Sequence, residues 1–104
     1  MTYTDKWVIL KITSDNTIYK VFATFYGDYS SGDSWRINSG IVRVEEGDGY
    51  FDFIGHSGSV YRCWDGTYGV SNYSSVVLSN TISKAEESGI KISILDKNTN
   101  WLKL

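Results

Sequence analysis

Two short polar segments of this chain set flat rings beside a fixed cation. One is Ser34-Trp35-Arg36, flanked by Gly32-Asp33 and Asn38-Ser39-Gly40. The other is Ser59-Val60-Tyr61-Arg62-Cys63-Trp64, followed by Thr67-Tyr68-Gly69. An aromatic face stacks on a planar base, and a guanidinium fork grips a phosphate. Neighbouring Gly and Ser let backbone N–H groups approach a ligand closely. In a strand, Tyr61 and Cys63 share one side while Arg62 and Trp64 share the other, so the latter two can act together. Trp35, Arg36, Arg62 and Trp64 are therefore the candidate ligand-binding residues. His56 and Tyr68 are further candidates for contacts to a ribose or base. Taken singly, each ring also reads as a core residue with a polar handle. Tyr3, Tyr26 and Tyr29 read equally as an interface patch, because Tyr and Trp anchor protein contacts.

Catalytic constellations are weaker. Gly55-His56-Ser57-Gly58-Ser59 approaches a nucleophile elbow but lacks its last Gly, and His56 is adjacent to Ser57. Neighbours on an extended backbone point to opposite sides, so this histidine is badly placed to act as base on that serine. Cys63 inside a strand reads as a small buried hydrophobe, with no cation implied to activate it. A single His and a single Cys cannot close a zinc site. Asp28, Asp33, Asp48 and Asp52 do not follow calcium-loop spacing. Gly47-Asp48-Gly49 is preceded by Glu45 and Glu46, whose charge repels phosphate, so it reads as a hairpin turn. The expectation is a protein without enzymatic activity, cofactor or metal.

Composition agrees with a binding role and narrows it. The chain has 104 residues, enough for a single domain spanning 1–104. Lys and Arg number 10 against 12 Asp and Glu, a net charge of -2, which argues against general nucleic-acid binding. Aromatic residues make up 15%, favouring sheet over helix. Met1 to Lys6 is polar, and the apolar run Trp7 to Leu10 is too short for a signal-peptide core or a membrane span. The expected setting is the cytoplasm, away from membranes.

The elements that must position the candidates follow from period and turn chemistry. Trp7–Thr13 reads as a strand with Val8, Leu10 and Ile12 toward the core. Asp15-Asn16 joins it to a second strand, Thr17–Tyr26, whose two faces are both partly apolar, as in a central strand. Residues 27–34 form a loop by composition, and Trp35–Asn38 a short strand. Ile41–Glu46 and Tyr50–Ile54 make a second hairpin, and Ser59–Trp64 a further strand. Ser71 or Asn72 caps a helix over Tyr73–Ser88, with Leu78, Ile82 and Ala85 on one face and Gly89 ending it. Ile90–Leu95 is a last strand. Trp101-Leu102-Lys103-Leu104 is an apolar end that must dock. The expected fold class is α+β: a mainly antiparallel sheet of about five to six strands with one helix packed on it.

Several of these runs together resemble small accessory proteins encoded by tailed bacteriophages. The runs are Tyr19 to Gly27, Gly32 to Ile41, Gly58 to Cys63 and Asn98-Thr99-Asn100-Trp101, within residues 7–101. The resemblance implies a phage protein acting in the host cytoplasm against host defence. Two routes follow from it. One is sequestration of a nucleotide-like immune signal by a sponge, assembled as a homo-oligomer whose subunits form a deep pocket. The other is occlusion of a host defence complex by protein–protein contact, with Asp28, Asp33, Glu45, Glu46 and Asp48 meeting a basic groove. A small virion component is a third role of the same group.

Overall fold

A computed structural model describes residues 1–27 and 32–104. Asp28 and Tyr29, candidates for partner contact by sequence, lie outside the described residues together with Ser30 and Ser31. The fold is α+β, as the pattern of the sequence predicts. Its strands are β1 (Thr2–Tyr3), β2 (Lys6–Thr13), β3 (Thr17–Phe25), β4 (Ser34–Ile37), β5 (Ile41–Glu46), β6 (Tyr50–Gly55), β7 (Val60–Trp64) and β8 (Lys91–Ile94). The helix α1 runs over Asn72–Glu87 between β7 and β8.

These strands form two four-stranded sheets rather than one sheet of five or six. The inner sheet has the order β4-β3-β2-β8 and is antiparallel throughout. The outer sheet has the order β1-β7-β6-β5, with β1 added parallel to β7. Thr2-Tyr3 is too short and polar for its strand character to be legible from sequence.

The inner sheet is covered on both faces. Val8, Leu10 and Phe22 pack with Leu78 of α1. Trp7, Ile9, Val21 and Ala23 pack against Phe53, Tyr61 and Cys63 of the outer sheet. The molecule is thus three layers: helix, inner sheet, outer sheet. The one-sided core expected for β2 is corrected accordingly: residues 7 to 10 are all buried, because β2 is central and has a layer on each side. Of the apolar C-terminal end expected to dock, Trp101 does so, while Leu102 and Leu104 stay exposed. Trp101 lies buried against Trp7, Phe53 and Tyr68, with ring centroids 5.4, 6.3 and 5.5 Å away.

Local chemistry ends the elements. The Ser71 side chain accepts from the Ser74 backbone N–H, capping α1. Gly89, at a φ of 77°, closes the helix, and the Ile90 N–H bonds back to the Ala85 carbonyl. Asn38 extends the β3–β4 ladder by one step. Its backbone N–H donates to the Val21 carbonyl, and its Oδ1 accepts from the Val21 N–H at 2.8 Å. Among the described residues, no helix is long and apolar enough to cross a membrane.

Asn38 and Val21 are both buried. Replacing Asn38 by Ala strands a buried N–H, and urea unfolding is expected to show a loss of about 1–3 kcal/mol with an unchanged slope.

Candidate functional site

The outer sheet turns one face to the core and the other to solvent. Alternation along β7 aims Tyr61 and Cys63 inward and leaves Arg62 and Trp64 outward, as their spacing predicts. Register then decides their neighbours. Trp64 lies opposite Tyr50 and Arg62 opposite Asp52 on β6, while Tyr3 on β1 lies beside Arg62. Opposite Asp52 in turn is Glu45 of β5. The open face therefore carries Tyr3, Arg62, Asp52 and Glu45 in a row across the strands, with Tyr50 and Trp64 in the row beside it.

Arg62 is locked in place. Its Nε and Nη2 each donate to an Asp52 carboxylate oxygen at 2.9 Å. The guanidinium carbon lies 3.9 Å from the Tyr50 ring centroid and 5.9 Å from that of Tyr3. The hydrogen bonds to Asp52 raise the guanidinium's affinity for its proton above the ordinary value. The planar fork is thus already satisfied by a carboxylate and stacked on a ring. Trp64 meets Tyr50 edge to face, with centroids 5.1 Å apart and planes at 68°. Exposure stays high at the rim: 60% for Tyr3 and 41% for Trp64.

The other sequence candidates do not join this cluster. Trp35 stacks on Phe22, with centroids 5.7 Å apart and planes at 10°. Phe22 belongs to the core under the helix, so Trp35 sits on the helix side of the inner sheet, while Arg62 and Trp64 face away on the far side of the outer sheet. Arg36 leaves the opposite side of β4 and rests 5.8 Å from the Phe25 ring centroid. The two segments belong to different sheets, so within one chain Trp35 and Arg36 do not meet Arg62 and Trp64. Tyr68 is structural. Its hydroxyl donates to the Leu95 carbonyl at 2.6 Å and accepts from the Ile9 N–H at 3.1 Å. His56 occupies the exposed β6–β7 turn, where its backbone N–H donates to the Gly40 carbonyl. Ser57 in the same turn shares hydrogen bonds with the Ser39 and Ser59 hydroxyls.

Sequence reasoning paired Arg62 with Trp64 but missed Tyr50 and Asp52. The turn at Gly55-His56-Ser57-Gly58 was a usable signal, since it places β7 beside β6. The register between β6 and β7 was needed to bring Asp52 to Arg62. A cavity of about 280 Å³ opens elsewhere, beside β5, against Tyr19, Val44, Trp101 and Leu104. None of the six candidates lines it. Among the described residues, no group of three or more His, Cys, Asp or Glu is arranged to hold a metal.

Comparison of the chain with protein-family models, with curated proteins and with solved structures gives no match. The functional reading therefore rests on the chemistry of the open face.

Cys63 lies on the inward side of β7, and burial pushes its thiol up from 9.0 to about 12. A thiol kept neutral by the fold adds stability below the unfolded value, and this is lost as pH climbs toward the folded one. Burial raises Tyr68 in the same sense. Thermal melts should hold steady with respect to these groups up to about pH 9 and fall progressively from there toward pH 12. A thiol reagent at neutral pH should label Cys63 only at the rate of unfolding.

Proposed function

We propose that this chain is a non-enzymatic binding module that engages a partner protein through the open face of the outer sheet. The observation that carries the reading is the Arg62 guanidinium, fixed by Asp52 and stacked on Tyr50, with Tyr3 and Trp64 exposed around it. Tyr, Trp and Arg are the residues that dominate protein interfaces. A side chain already held in one geometry loses little rotamer freedom on binding, so its contacts count nearly in full.

The same geometry weighs against a small nucleotide guest. A phosphate would have to displace the Asp52 carboxylate from Arg62. The rings sit on a sheet face, whereas small ligands are held in concave sites. The absence of catalysis belongs to this proposal too. Cys63 is sealed between the sheets with its thiol protonated, while His56 lies in an exposed turn. With the phage origin that the sequence resemblance implies taken as part of the proposal, the partner is a host protein and the effect its occlusion.

Immobilised chain should retain a host protein that the Tyr3→Ala/Trp64→Ala double variant loses by at least about tenfold, with a melting temperature close to that of the parent. Trp35→Ala should leave capture unchanged. Overturning would come from a cyclic nucleotide or an ADP-ribose compound that raises the melting temperature by several degrees, and does so only with Arg62 intact.

A further inference from the structure

We infer that the surface seated on this face is basic: a Lys- or Arg-bearing segment that lays a cation against Trp64. The inference rests on the open outer-sheet face being the binding face. It is drawn from which charges there are spent and which are not.

The two arginines of the face are each paired with a carboxylate of the chain. Arg62 is held by Asp52, and Arg43 lies 3.4 Å from Glu45. Beside the Tyr50–Trp64 pair stand two carboxylates. The turn between β5 and β6 carries Asp48, and Asp65 follows Trp64. The Asp65 N–H donates to the Gly49 carbonyl at 3.1 Å, and the Gly47 N–H to the Tyr50 carbonyl at 2.9 Å. These bonds gather the turn, Asp65 and the Tyr50–Trp64 pair at one end of the sheet. Asp48 and Asp65 are exposed, and neither ion pair among the described residues engages them.

An acidic partner would bring like charge onto this end. A neutral one would desolvate the carboxylates without replacing their water. A Lys or Arg side chain avoids both costs. It meets an exposed indole, the ring type best suited to cations, with carboxylates beside it. The chain's net charge of -2 favours the same encounter. A second copy of the chain would bring the same acidic end and lacks this complementarity.

The test uses the full chain with a labelled peptide alternating Arg and Ser, and a Glu–Ser peptide of equal length, read by fluorescence anisotropy. The basic peptide should bind and the acidic one should not. Binding should weaken about tenfold in the Asp48→Lys/Asp65→Lys variant, and by a similar factor in Trp64→Ala. It should also fall as salt rises toward about 0.15 M, where the screening length is about 8 Å. All three sites are exposed, so the variants should keep the parent's melting temperature. No binding of the basic peptide, or binding that ignores either variant, overturns the inference. So does light scattering that shows a dimer lost on Tyr3→Ala/Trp64→Ala, since the occupant is then a second copy. The failure is separable from that of the parent reading. If the Asp48→Lys/Asp65→Lys variant still captures the host protein and Tyr3→Ala/Trp64→Ala does not, the face stands and its basic occupant falls.

Discussion

The structure depends on Trp7. This indole, 1% exposed, fills the space between the two sheets and has aromatic neighbours on several sides. Tyr68 meets it edge-on at 4.7 Å, and Phe53 and Trp101 each lie 5.4 Å away. Its Nε1–H donates to the Trp64 carbonyl at 2.9 Å. A large apolar body thus joins three elements, while its one polar atom ties β2 of the inner sheet to the end of β7. An indole with its N–H unpaired in this position would be costly, so the bond also fixes how the sheets slide over one another.

That tie reaches the open face. The backbone carbonyl that accepts from Trp7 belongs to the residue whose ring stands exposed on the other side. Thr67 donates its hydroxyl to the same carbonyl at 2.9 Å. The core thus holds the strand end from which Trp64 projects. One residue earlier, Cys63 is sealed inward, and one before that, Arg62 emerges into its clasp with Asp52 and Tyr50. Thr4 adds a further hold, with its backbone N–H and its hydroxyl both directed at the Arg62 carbonyl, at 3.1 and 3.2 Å. A face made this way is held firmly because the strands that carry it are backed by a packed layer.

The separation of the two Trp–Arg segments has an equally simple cause. Both are short strands with an outward ring, and in sequence they look alike. β4 pairs with β3 in the sheet that carries the helix, while β7 pairs with β6 in the sheet that does not. Trp35 consequently lies flat on Phe22 at the rim of a core, and Trp64 stands on a face over which the described residues form no further layer. The exposure of the two rings is nearly equal, at 38% and 41%. Their surroundings are what differ.

Local pattern determined most of the elements. Period-two alternation set the inward and outward sides of β7, Asp15-Asn16 and Gly47-Asp48-Gly49 marked hairpins, and Ser71 and Gly89 bracketed the helix. Each of these signals acts within a few residues, through backbone sterics or a hydrogen bond to a near neighbour. Only the tertiary structure decided that there are two sheets, that β2 is buried on both faces, that Tyr68 serves the core, and that Arg62 answers to Asp52 and Tyr50. Those outcomes turn on which strands pair and in what register. Pairing is settled by how the whole set of apolar faces is buried at once, and no short window of the chain contains that information.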